Sequence, residues 1–180
     1  EEHNEIYQNR IDAGFNLGEN ISGTNEWTEK SYTFVTRPST KYIRLRALLG
    51  GDGTAQGTVW YDQIIITELL SACEENLLKT HLWEGNMATI DHSCDYQTKK
   101  YGSTSLKLAS SQPANVEGYS PLIDVKPNTT YKVSYWVKTE NLQVISAKIY
   151  GKIITAQYNA SAEEHNEIYQ NRIDAGFNLG

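Results

Sequence analysis

The chain is dominated by short segments in which apolar and polar residues alternate. Residues 131–138, YKVSYWVK, carry Tyr or Val at every odd position and Lys, Ser or Trp at every even one. Residues 41–47, 105–108 and 147–151 alternate in the same way. A period of two places successive side chains on opposite faces of a β-strand, whereas an amphipathic helix has a period of about 3.6. The pattern therefore predicts strands, and no segment shows a convincing helical period.

Turn-forming residues separate these segments. Residues 37–39, 50–53, 101–103 and 126–128 are rich in Gly, Pro, Ser and Asn, the residues that favour tight turns. Many short strands joined by regular turns are typical of two packed antiparallel sheets. With 180 residues, of which 39% are hydrophobic, the chain is long enough for one core. We predict an all-β fold, an antiparallel β-sandwich of the jelly-roll type.

The order of the segments resembles that of a known family. Residues 76–85, NLLKTHLWEG, are similar to the opening strand of bacterial carbohydrate-binding modules of the family 4 and 9 type. Residues 100–108, KYGSTSLKL, and 127–138, PNTTYKVSYWVK, resemble later strands of those modules. Residues 23–36 and 57–64, the latter GTVWYDQI, resemble their closing part. The resemblance implies a galactose-binding-like jelly roll.

Relative to that family the elements are cyclically rotated. Residues 1–68 resemble the C-terminal part of one jelly-roll module, residues 69–75 a linker, and residues 76–180 the N-terminal part of the next module. Residues 163–180, EEHNEIYQNRIDAGFNLG, repeat residues 1–18 letter for letter. Three explanations fit: a window on tandem modules, a circular permutant with a duplicated terminal segment, or an overlap at the ends of one repeating unit. Either one chain closes the jelly roll, or neighbouring copies exchange half-modules.

Polysaccharide binding is the function that the resemblance implies. Sugar rings stack on aromatic faces, and their hydroxyls bond to nearby polar groups. The alternation places the predicted binding residues on one open sheet face: Trp136, Tyr150, Arg44 and Arg46. Packing of Trp136 in a second layer is the alternative. A second function is a structural subunit of an extracellular filament, assembled by strand or half-module exchange.

The resemblance also implies a structural Ca²⁺ ion. The matching carboxylates are Glu84 and Asp62, and hard oxygen ligands suit Ca²⁺. The alternative is an exposed Glu and an edge-strand Asp, each solvated or ion-paired. Cys73 and Cys94 are a candidate disulfide that would fit an extracellular or cell-surface protein, with two buried free thiols as the alternative.

Charge and motif content narrow the function classes. Lys and Arg number 16 against 22 Asp and Glu, for a net charge of −6, which argues against a nucleic-acid partner. No apolar run is long enough to span a membrane. Motifs such as HExxH or GxSxG are absent from the sequence, so we predict a protein that is not an enzyme.

Overall fold

A computed structural model describes residues 18–69, 76–78, 83–85 and 91–159, with the backbone alone at 84–85 and 91–94. These residues form one antiparallel sheet and no helix, which confirms the predicted all-β, antiparallel fold. Its strands are β1 (Gly23–Val35), β2 (Tyr42–Glu68), β3 (Glu84–Gly85), β4 (Asp91–Asp95), β5 (Ser105–Tyr119), β6 (Ile123–Asp124), β7 (Thr130–Val144) and β8 (Ile149–Tyr158).

The 27-residue strand β2 organises the sheet. Its first half, residues 42–51, pairs with β8, and its second half, residues 55–68, pairs with β7. Strand β5 runs along both halves, β1 pairs with the other edge of β7, and β3 and β4 pair with β5. The register shifts between Leu48 and Gly57, and such irregularities bend a strand. The two halves of β2 therefore belong to differently directed parts of the sheet.

Side chains from the two halves of β2 meet in one hydrophobic core. The fully buried Tyr61 donates its hydroxyl hydrogen to the carbonyl of Leu48 at 2.5 Å and lies 3.2 Å from that of Lys152. Tyr135 of β7 accepts the N–H of Ile153 at 3.3 Å. These contacts link the two parts of the sheet through one core. The sandwich arrangement stays a prediction. The jelly-roll connection order and the cyclic rotation stay predictions.

Strands from both sides of the predicted linker pair within this sheet. Strands β1 and β2 precede residues 69–75, and strands β5 to β8 follow them. The Asn76 side chain accepts the N–H of Ile66 at 3.0 Å, so that the NLL segment starts beside the end of β2. The assignment to two modules stays a prediction. The repeated segments, apart from Gly18, lie outside the described residues.

The residues before β1 run beside the first half of β8. The N–H of Ile21 donates to the carbonyl of Tyr150 at 3.3 Å, and the Asn20 amide donates to the carbonyl of Lys148 at 3.1 Å. This close approach requires Gly151, whose φ is 59° and where a Cβ would lie 2.2 Å from the Ile21 oxygen. Asn159 follows the other end of β8, so these two segments of the chain lie at opposite ends of one strand.

Candidate functional site

The loop of residues 96–104, which joins β4 to β5, is fastened to the outer face of the sheet by Asp62. One carboxylate oxygen of Asp62 accepts the backbone N–H groups of Lys100 at 2.6 Å and Tyr101 at 2.8 Å. The other accepts the N–H of Gln63 at 2.7 Å. Asp62 is only 8% exposed. Hydrogen bonds to an ionised group are stronger than neutral ones, so these bonds fix the loop against β2.

A second aspartate, Asp95, holds the start of the same loop. One of its oxygens accepts the N–H groups of Gln97 at 2.7 Å and Thr98 at 2.9 Å. The other accepts the indole N–H of the buried Trp60 at 2.9 Å. The bond from Thr98, with smaller contributions from Trp60 and Gln97, lowers the pKa of Asp95 below its ordinary value. The loop is thus anchored at two points.

The anchored loop brings an aromatic and a cationic side chain to Trp136 on β7. The Tyr101 ring meets Trp136 edge-on, with centroids 6.0 Å apart and an interplanar angle of 69°. The Lys100 ammonium lies 4.7 Å from the centre of the Trp136 ring, within the range of a cation–π contact. Trp136 is half-buried, and Tyr101 is 46% exposed. We call Trp136, Tyr101 and Lys100 the Trp136 cluster.

The structure does not place the predicted arginines beside Trp136. Arg46 is buried and donates through Nε and Nη2 to one carboxylate oxygen of Glu117. The guanidinium carbons of Arg46 and Arg44 lie 5.6 and 6.0 Å from the centre of the Tyr119 ring. Arg44 and Arg46 point away from the core on the first half of β2. Trp136 points away from the core on β7, which pairs with the second half of β2. Both arginines therefore contact Tyr119 rather than Trp136.

Tyr150 also departs from the predicted face. It is half-buried and packs against the core cluster, whereas simple alternation groups it with Lys148 and Lys152 on the outside. The positive φ of Gly151 interrupts the alternation at this point of β8. The predicted single face of four residues is therefore not formed.

Sequence reasoning overlooked two members of the Trp136 cluster. Lys100 and Tyr101 belong to a loop, and periodicity assigns loop side chains to no face. The only local signal is Tyr101 itself, an aromatic residue in the turn at residues 101–103. An aromatic residue in a turn suggests an exposed ring but does not indicate what the ring contacts.

The described residues leave the predicted metal site and disulfide untested. Both oxygens of Asp62 accept backbone N–H groups, and the Glu84 side chain is not described. Within the described ranges no group of three or more His, Cys, Asp or Glu residues is arranged to hold a metal ion. Cys94 lies in β4 opposite Leu106, but its side chain is not described, and Cys73 lies outside the described residues.

Comparison with protein-family models and with curated proteins gives no relative from which a function can be transferred. No protein-family model matches the chain, and no curated protein matches it significantly. Over the part of the chain that is described, no helix has the length and apolar character needed to cross a membrane. The geometry of the Trp136 cluster is therefore the basis for a functional proposal.

Proposed function

We propose that this protein is a non-catalytic, extracellular or cell-surface β-sheet module that binds polysaccharide through the Trp136 cluster. The observation that carries the proposal is a half-buried tryptophan beside an exposed tyrosine on an outer sheet face, both positioned by a hydrogen-bonded loop. The sequence resemblance to carbohydrate-binding modules points to the same class of ligand.

The cluster offers the two kinds of contact that a sugar needs. The rings of Trp136 and Tyr101 present apolar surface to the C–H face of a pyranose. Lys100 is exposed and makes no ion pair with any described residue, so its ammonium is available to donate to sugar hydroxyls. Glu29 of β1 lies across from Trp136 in the register and is exposed, and its carboxylate is a hydrogen-bond acceptor. Donor and acceptor thus flank the rings.

The anchored loop makes the cluster ready to bind. Binding costs free energy whenever a loop or a long side chain has to be ordered. The carboxylate of Asp62 already holds the backbone of Lys100 and Tyr101 in place. The flexible side chain of Lys100, whose ammonium lies 4.7 Å from the centre of the Trp136 ring, has to move aside for a sugar ring to stack there.

Replacing Trp136 tests this proposal. We expect Trp136→Ala to weaken binding about tenfold or more, as the loss of a central aromatic anchor does. Binding is measured by pull-down on insoluble cellulose, xylan and chitin, followed by calorimetric titration with soluble fragments of whichever binds. Ile145→Ala is the matched control, because Ile145 is a large apolar side chain, 56% exposed, outside the cluster. Equal binding by Trp136→Ala and the unaltered protein, or no binding to any of the three, rejects the proposal.

A filament subunit is the second candidate function. It is favoured by the course of the chain, because residues 18–21 and Asn159 lie at opposite ends of β8. Copies joined through these ends, or exchanging strands there, would extend in one direction rather than close into a ring. Electron microscopy of sugar-free protein separates the two functions: filaments support the second, and monodisperse single particles reject it.

A further inference from the structure

A concave site lies at the end of the sheet, away from the residues of the Trp136 cluster. The turn between β1 and β2, the short strand β6 and the residue after β8 enclose a cleft of about 610 Å³. Ligand sites for small molecules typically measure about 300–1,000 Å³. We call this the end cleft; its lining residues are Pro38, Ser39, Thr40, Lys41, Tyr42, Asp124, Val125, Pro127 and Asn159.

The end cleft stands on a buried, hydrogen-bonded floor. Gln157 is 3% exposed and accepts the Thr40 hydroxyl at 2.6 Å and the N–H of Arg37 at 3.0 Å. Its amide donates to the carbonyl of Val35 at 3.2 Å. Above the floor, the N–H of Lys41 donates to the carbonyl of Tyr158 at 2.9 Å. Because the walls are tied together in this way, the shape of the cleft is preformed.

Four polar side chains around the end cleft have no partner among the residues that the structure describes. Those of Lys41, Tyr42, Asp124 and Asn159 make no hydrogen bond or ion pair with any described residue. Tyr42 pairs with Asp124 across the sheet, and cross-strand neighbours point to the same face. The half-buried Tyr42 ring therefore lies beside a carboxylate acceptor, with a lysine donor and an amide on the same rim.

We propose that the end cleft is a second saccharide subsite, which takes an uncharged sugar residue. An aromatic ring combined with acceptor, donor and amide groups complements a pyranose ring and its hydroxyls. The cleft contains one cationic and one anionic side chain, Lys41 and Asp124, so it offers no net charge that would favour an anion or a metal cation. The proposal takes only the class of ligand from the proposed function, and none of its residues belongs to the Trp136 cluster.

Two occupied subsites would also change how the protein binds a polymer. A polysaccharide that reaches both sites gains avidity beyond the affinity of either site alone. Short oligosaccharides that fill one site do not gain it, so the two sites are best resolved with short probes.

The experiment is a titration of isotope-labelled full chain by NMR with cellotetraose, xylotetraose and, as an anionic probe, trigalacturonate. We expect a neutral probe to shift the amide signals of residues 41–42, 124–125 and 159 as one group, separately from those of residues 100–101 and 136. Asp124→Asn and Tyr42→Phe keep the size of the side chain, and each should weaken the binding reported by the end-cleft signals about tenfold. Both should leave the binding reported by residues 100–101 and 136 unchanged. Trp136→Ala should weaken binding at residues 100–101 and leave binding at the end cleft unchanged.

The outcomes separate this proposal from the proposed function. If the signals of residues 100–101 and 136 respond and those of the end cleft do not, the second subsite is rejected and the proposed function stands. A response at the end cleft that both conservative variants leave unaltered, or a response to trigalacturonate alone, also rejects it. If neither group responds to any probe, both proposals fail.

Discussion

The hydroxyl of Tyr61 is a direct test of how the two parts of the sheet are packed. Tyr61 is fully buried and bonds across the core to the carbonyl of Leu48 at 2.5 Å. Tyr61→Phe removes the oxygen and keeps the ring, so the edge-on contact with Tyr135 is retained and no large cavity forms. The change therefore isolates the hydrogen bonding of one hydroxyl across the core.

We expect Tyr61→Phe to lower the free energy of unfolding by about 1–2 kcal/mol. A typical buried hydrogen bond contributes about 0.5–1.5 kcal/mol net, and the carbonyl deprived of its donor adds part of a desolvation penalty. For a chain of this size, a loss of 1 kcal/mol lowers the melting temperature by roughly 2–4 °C. Urea unfolding followed by circular dichroism measures the loss as a lower midpoint at an unchanged slope.

Tyr96→Phe is the matched control, because the Tyr96 side chain is 65% exposed. Surface substitutions of this kind change the free energy of unfolding by about 0.5 kcal/mol or less. If Tyr61→Phe unfolds at the same urea concentration as Tyr96→Phe, the Tyr61 hydroxyl does not stabilise the core through the carbonyl of Leu48, and this part of the packing is refuted.

Three further measurements test other parts of the structure. Burial raises the pKa of Tyr135 to about 12. Since the unfolded chain loses this proton near pH 10, Tyr135 should lower the free energy of unfolding by about 1.4 kcal/mol per pH unit between pH 10 and 12. In urea titrations at stepped pH, Tyr135→Phe should reduce the slope by that amount and leave the contributions of Tyr32, Tyr61 and Tyr119, whose pKa values burial also raises. Glu117→Gln leaves the buried Arg46 without its counter-charge and should lower the free energy of unfolding by about 3–5 kcal/mol in the same assay. The control is Asp52→Asn, which breaks an exposed ion pair with Lys148 and should lower it by about 1 kcal/mol or less. Equal losses for the two variants would contradict the burial of the Arg46–Glu117 pair. If Asp62 and Glu84 hold calcium, saturating CaCl₂ should raise the melting temperature by roughly 5–10 °C, and identical melting curves in CaCl₂ and EDTA would remove the calcium prediction.

In a regular strand, local periodicity predicts both the strand and the direction of its side chains. In residues 131–138 the period of two correctly places Tyr131, Val133, Tyr135 and Val137 in the core and Trp136 outside it. This works because a straight strand fixes the direction of each side chain from its neighbours alone. No knowledge of the partner strand is needed.

The composition of the site depends on information that periodicity lacks. Alternation shows that Arg44 and Arg46 share a face, but it does not show which surface of the molecule that face becomes once β2 bends. Gly151 reverses the alternation within β8 through its positive φ, so Tyr150 turns inward. The partners of Trp136 come from a loop whose position is set by Asp62, some 38 residues away in sequence. Bends, left-handed glycines and long-range loop anchors are tertiary features, and a single sequence does not display them.

The course of the chain along β8 has a mechanical consequence. Tension applied through residue 18 and Asn159 would load β1 at one end and, at the other, pull β8 along its own axis against its antiparallel neighbour β2. The hydrogen bonds between these strands lie perpendicular to that axis, so they would resist the load together rather than open one after another. A linear array of such modules would therefore resist stretching in shear, a property useful to a protein that tethers one surface to another.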